Sequence, residues 1–286
     1  MPLYTDEELK QLPEFENLDQ ALRDPEKVFR FRAYRQEDAG ALAKVLEFRN
    51  LQSLSISLSN VSKLLPRLGE LTDLQDVYLQ ACNIQTFPES IFGLRSLRSL
   101  VIGNNALREL PSGITGLGNL ESLSLSQNEF CRIPDSIGEM PRLKTLGLSY
   151  NRIEELPGSI GNLEALEWLF LDVNALRQIP EVIGNLRNLQ GLTLNSNQLR
   201  NLPDSICKLT QLKSLNLEHN PLESLPRGLV CMTGLERLSI EAEKTSLVHG
   251  LVLQAQFETR SSRTVRSKIV CLPRQRTLPA SEDCHS

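Results

Sequence analysis

The sequence predicts an α/β solenoid: short parallel strands on a concave face, joined by irregular or short helical returns on a convex face. Three observations predict it. Leucine recurs at Leu51, Leu74, Leu97, Leu120, Leu143, Leu166, Leu189, Leu212 and Leu235, every 23 residues without insertion or deletion. Each opens the same pattern; in the copy from Leu143 the apolar positions are Leu143, Leu146, Leu148, Ile153, Leu156, Ile160 and Leu163. Asparagine and proline hold fixed places in it, here Asn151 and Pro157. Such a period marks a repeat array in which each copy buries its apolar face only against its neighbours.

The fourth and sixth positions of a copy are apolar with a polar residue between them, the pattern of a short strand with one buried face. Successive strands then stack in parallel, and the rest of the period returns the chain down the other side. Asn105, Asn128, Asn151, Asn174, Asn197 and Asn220 hold the ninth position of six consecutive copies. An amide there has the donors and acceptor to satisfy backbone groups where the chain leaves the strand, so these six form a structural ladder. Pro88, Pro111, Pro134, Pro157, Pro180, Pro203 and Pro226 hold the fifteenth position, where a fixed φ favours a short return over a long helix.

Eight complete copies occupy residues 51–234, and a partial ninth runs to 243. Residues 1–50 read as an N-terminal helical cap with a degenerate first repeat, visible as Val28, Phe31, Ala41, Val45 and Phe48. Ahead of it Thr5 and Glu8 fit a capping box, and Leu18, Asp19 and Leu22 fit a second short helix before Pro25. At the far end Leu235, Leu238 and Ile240 keep the register, but Glu243 falls at the ladder position, where a charge argues against a complete copy. Residues 244–286 read as an irregular cap followed by a polar, basic tail, and their composition is also what a non-native terminus would show.

The motif L-x-x-L-x-L-x-x-N-x-L stands here as LKTLGLSYNRI, LQGLTLNSNQL and LKSLNLEHNPL. It resembles the leucine-rich-repeat family. The following L-P-x-x-I-x-x-L half is similar to the 23-residue class found in Scribble-type scaffolds, plant intracellular Ras-group-related proteins and many bacterial proteins. The resemblance covers about two thirds of the chain and implies a curved horseshoe. It further implies a scaffold or adaptor in intracellular signalling that binds a protein, a small GTPase or phosphatase, on the concave face. The alternative is a recognition subunit, or a fragment, of a larger kinase or ubiquitin ligase with catalysis on another chain.

Composition narrows the function. The formal net charge of -4 is small for 286 residues and gives no reason to expect nucleic acid or an anionic membrane as partner. Its distribution is uneven: residues 1–243 carry 24 basic and 32 acidic side chains, residues 244–286 carry 7 and 3. No apolar run is long enough to span a bilayer, and the start is acidic, unlike a secretory signal. Cys82, Cys131, Cys207, Cys231, Cys271 and Cys284 are irregularly spaced, as free thiols of a reducing, cytoplasmic compartment would be. His219, His249 and His285 are isolated, and the Gly113, Gly116, Gly118 patch lacks the lysine of a phosphate loop. No enzyme activity, cofactor or metal is therefore expected, and a monomer is favoured.

Binding residues are sought at the outward strand positions, the third, fifth and seventh, flanked by the second and eighth. Most are small, leaving room for a partner. Trp168 and Phe170 stand out on one strand, with Asp172 and Val173 beside them and Tyr150 from the preceding copy. Tyr78 and Val101 form a smaller pair, and Asn195 and Glu218 complete the expected partner-binding set. Exposed aromatics on a strand face are typical interface anchors; the plainer alternative is that they only pack on one another. Charge is also graded, from Arg30, Arg32 and Arg35 near the start to Asp172, Glu218 and Glu241 near the end.

Overall fold

The computed structural model describes residues 3–240 together with Lys268 and Ile269. The readings placed on Glu241, Glu243 and residues 244–286 lie outside the described residues, apart from those two. The chain packs as two compact units, Met1–Glu129 with Ser136–Gly147, and Phe130–Asp135 with Leu148–Ser286.

In the first unit, strands β1 (Glu14–Phe15), β2 (Arg30–Tyr34), β3 (Ser53–Ser57), β4 (Asp76–Gln80), β5 (Ser99–Val101), β6 (Ser122–Ser124) and β7 (Thr145–Gly147) follow one another in chain order. Neighbours pair in parallel. Their register is the sequence period itself: Leu54 faces Val77, Val77 faces Leu100, Leu100 faces Leu123 and Leu123 faces Leu146. In the second unit β8 (Trp168–Phe170), β9 (Gly191–Thr193), β10 (Ser214–Asn216), β11 (Arg237–Ser239) and β12 (Lys268–Ile269) are likewise parallel. The opening leucines Leu51 to Leu212 are buried, as are the inward strand residues. Leu235, at the opening position of the partial copy, is only half-buried.

The returns are single turns of 3₁₀ helix, such as Glu89–Gly93, Gly158–Asn162, Glu181–Asn185 and Asp204–Lys208. Each of these follows directly on its proline, whose φ lies between -76° and -65°. The proline carbonyl accepts the first bond of the turn, as from the Ile183 N–H at 3.0 Å. Proline thus starts the turn without losing a donor the fold needs.

Within each unit the asparagines work as a ladder. The Asn197 Oδ1 accepts from the Leu176 N–H at 3.0 Å, and its Nδ2 donates to the carbonyls of Leu171 and Leu194 at 2.9 and 3.0 Å. Each of those carbonyls also receives a neighbouring amide, from Asn174 and Asn220 respectively. Two earlier copies lack asparagine, and other side chains stand in. The Ser59 Oγ accepts from the Gln36 N–H at 2.9 Å and donates to the Ser57 carbonyl at 2.8 Å. Cys82 lies in the same place, donating to the Gln80 carbonyl at 3.3 Å, and burial pushes its thiol pKa up. Cys82, Cys131, Cys207 and Cys231 form no disulfide.

The eighth position just before the ladder is left-handed in each of the eight complete copies: Leu58, Ala81, Asn104 and Gln127 in the first unit, Tyr150, Val173, Ser196 and His219 in the second, all with φ of 51° to 59°. That conformation aims the N–H at the next copy, as Val173 donates to the Asn195 carbonyl at 2.8 Å. It costs an L-residue about 1–2 kcal/mol and is least suited to β-branched side chains such as Val173.

At the start, α1 (Asp6–Gln11) has the Thr5 and Glu8 capping box, and the Thr5 hydrogen bonds hold the Glu8 carboxyl below its ordinary value. Helix α2 (Leu18–Ala21) is capped by Asn17. Val28, Phe31, Val45 and Phe48 are buried as one degenerate copy, but Ala41 is only half-buried. The reason is local: the Asp38 side chain accepts from the Gly40 and Ala41 N–H groups and starts α3 (Ala39–Leu42), which turns Ala39 and Leu42 inward instead.

Candidate protein-binding face

In the second unit the inward residues Leu169, Leu192 and Leu215 are fully buried, which leaves their neighbours on the outward face of β8 to β10. Trp168 is 38% exposed and Tyr150 is 55% exposed. Phe170 and Val173 are half-buried beside them. The Trp168 and Phe170 rings stack nearly parallel, 11° apart with centroids at 6.2 Å. Self-packing of the aromatics is therefore real, yet it leaves the indole substantially open to water.

The structure also corrects the idea that small residues on this face are vacant. A Cβ on Gly191 would collide with Cε3 and Cζ3 of Trp168, so the indole itself fills the space above that glycine. In the first unit a Cβ on Gly103 would lie 2.9 Å from the Gln80 side chain.

Asp172 is held rather than free to swing. Its Oδ1 accepts from the Asn195 N–H at 3.0 Å, and its Oδ2 accepts from the Thr193 hydroxyl and, at 3.5 Å, from the Ser149 hydroxyl. The Asn195 side chain accepts from the Ser196 hydroxyl at 3.1 Å. Glu218, expected among the partner-facing residues, is 9% exposed and so offers little surface; its N–H donates to the Asn216 Oδ1 at 3.1 Å. Tyr78 and Val101 sit opposite each other on β4 and β5, both half-buried, in the first unit.

The basic end of the expected charge gradient is largely neutralised. Arg30 and Arg32 each reach Glu14 at 3.0 Å, and Arg32 also reaches Glu16 at 3.5 Å. Arg35 lies over the Tyr34 ring at 5.2 Å. Glu14 belongs to β1, a two-residue strand that hydrophobic periodicity is too short to reveal.

Sequence reasoning missed three exposed or perturbed groups. Tyr34 and Leu58 are 57% and 45% exposed. Asp76, at the start of β4, has its pKa raised to about 6, first by burial and second by the Asp6 carboxylate, against the pull of Lys10, Arg98 and Arg30. The N-terminal segment brings Asp6 there: the Tyr4 N–H donates to Gln52 Oε1 at 3.0 Å, and the Gln75 Nε2 donates to the Tyr4 carbonyl at 2.8 Å.

Comparison with known proteins agrees with this geometry. Leucine-rich-repeat models match residues 72–130, 119–176 and 168–256. The chain belongs to the leucine-rich-repeat family. It is similar to a leucine-rich-repeat protein of Leptospira interrogans, at 28% identity and a TM-score of 0.70, over 80% of this chain and 66% of that one. An internalin of Listeria monocytogenes shares the fold at 21% identity and a TM-score of 0.67, over 82% of this chain and 68% of that one. The ectodomain of the plant membrane receptor kinase GASSHO1/SCHENGEN3 from Arabidopsis thaliana, in complex with Casparian strip integrity factor 2, is similar at 27% identity and a TM-score of 0.54. That likeness covers 70% of this chain and 31% of the plant one. No curated protein matches the chain. Leucine-rich-repeat folds generally mediate protein–protein interaction. No helix among the described residues is long and apolar enough to cross a membrane.

Proposed function

We propose that the chain is a non-catalytic scaffold or adaptor that captures a protein partner on the strand face around Tyr150, Trp168, Phe170 and Val173. One observation carries this reading: an indole 38% exposed and a tyrosine 55% exposed lie together with Phe170 and Val173 on a face whose next two copies present Gly191, Thr193, Ser214 and Asn216. Exposed aromatic rings cost free energy in water and recover it when a partner covers them, which is why Trp and Tyr dominate interface energetics.

We take the repeat array, described as far as residue 240, to supply this surface, with residues 1–50 as its cap; Lys268–Ile269, expected to fall in an irregular tail, instead pair with β11. A cytoplasmic signalling role with a small GTPase or phosphatase rests on the resemblance of the L-P-x-x-I-x-x-L half to intracellular scaffolds. A second reading is supported by the likeness to the plant receptor-kinase ectodomain: the chain serves as the recognition part of a larger enzyme.

Affinity capture with the wild-type chain and with Trp168→Ala/Phe170→Ala, read by mass spectrometry, tests the proposal. Specific partners are expected to bind the wild type and to fall at least about tenfold in the double variant, the loss typical of interface anchors. An unchanged partner set would overturn the site. Co-purification of a catalytic subunit would favour the second reading.

A further inference from the structure

Two residues beyond the strand that carries the rings stands a fixed negative charge that forms no ion pair among the described residues. Asp172 lies two residues from Phe170 and four from Trp168, on the same side of the extended chain. Three neutral donors, the Asn195 N–H and the Thr193 and Ser149 hydroxyls, hold its carboxylate in place. Among the described residues no Lys or Arg forms an ion pair with it. The outward positions of the three copies that carry β8 to β10 hold Asp172 and the largely buried Glu218, and no basic residue.

We propose that the Trp168, Phe170 and Asp172 edge receives an arginine or lysine side chain from an extended segment of the partner protein. The inference rests on the strand-face reading above and adds the chemistry of the occupant. A carboxylate has about four acceptor directions, so three hydrogen bonds leave room for a charged donor. The pinned geometry means that little ordering remains to be done when the cation arrives. The stacked rings add attraction: a cation over an aromatic face is favoured by the ring quadrupole, and the alkyl stem of Arg or Lys packs on the ring. A segment is required because the three side chains extend over about 13 Å of strand, more than one side chain covers. The charge also excludes acidic segments, so the face discriminates as well as attracts.

Trp168 is the only tryptophan, so its fluorescence reports on this site alone. The full chain is titrated with the peptide acetyl-Ala-Leu-Arg-Ala-Leu-Arg-amide and with the same peptide carrying neutral citrulline in place of arginine. The arginine peptide is expected to shift the emission and to bind about fivefold to tenfold more tightly than the citrulline peptide. Asp172→Asn keeps the shape and one acceptor oxygen for the Asn195 N–H, while the Thr193 and Ser149 hydroxyls must turn to accept from the new amide nitrogen; it removes the charge and is expected to bring both peptides to one affinity. Circular dichroism checks that this variant is folded; if it is not, the two peptides compared on the wild type still decide. Equal binding of both peptides by the wild type, lost in Phe170→Leu, would overturn the charge and leave the strand-face reading standing. No response to either peptide would overturn the inference, while affinity capture still judges the wider reading.

Discussion

Asn197→Ala is expected to lower the unfolding free energy by about 2–4 kcal/mol, measured by urea denaturation followed by circular dichroism. The magnitude follows from which groups lose a partner. The Leu176 N–H has the Asn197 Oδ1 as its acceptor, and in alanine that donor is left in the interior without one. A buried orphan donor costs about 1–3 kcal/mol, and the vacated volume adds to it. The carbonyls of Leu171 and Leu194 suffer less, because Asn174 and Asn220 still donate to them. Asn197→Ser is expected to lose only about half as much. Ser59 shows why, since a hydroxyl in the same place accepts one backbone N–H and donates to one carbonyl. Equal losses for serine and alanine would show that the ladder acts by filling space rather than by hydrogen bonding.

Asp76→Asn is expected to stabilise the protein at neutral pH by about 1–2 kcal/mol, a figure reduced for the partial exposure of the carboxyl. Folding raises this group from its ordinary 3.8 to about 6, chiefly through burial and then through Asp6. A raised carboxyl pKa means that the folded state prefers the protonated form. Its favourable contribution is complete below about pH 3.8 and is lost as pH rises through about 6. Above that the wild type carries a half-buried carboxylate beside a second one, whereas the amide carries none. Urea midpoints of wild type and variant should therefore converge near pH 3.5 and separate between about pH 4 and 6.5. Parallel midpoints across that range would contradict the assignment.

Repetition made most of the fold readable. A strict 23-residue register dictates that Leu54, Val77 and Leu100 meet across neighbouring strands, and they do. The six asparagines and the prolines before the turns were equally visible, because each recurs at one place in the period. Single events were not. Ser59 and Cys82 occupy the ladder place without sharing its chemistry on paper, and only their hydrogen bonds show the role. Helix α3 arises because Asp38 caps it, which moves the buried residues from Ala41 to Ala39 and Leu42.

The site was half legible. Outward register correctly placed Trp168 and Tyr150 at the surface. It could not show that the indole occupies the space above Gly191, or that Glu218 is buried, because side-chain direction is set by neighbours in other copies. Neutralisation of Arg30 and Arg32 depends on Glu14, brought in by a strand of two residues. Asp76 lay hidden for a similar reason: its perturbing charge comes from a segment far away in sequence.

Hydroxyl-radical footprinting of the chain alone and with a captured partner tests the central claim most directly, since it reports side-chain exposure residue by residue. The strand-face account predicts that oxidation of Tyr150 and Trp168 falls sharply in the complex, while Pro180 and Val182 on the return react as before. Unchanged oxidation of Tyr150 and Trp168, with protection confined to the 3₁₀ returns, would contradict it.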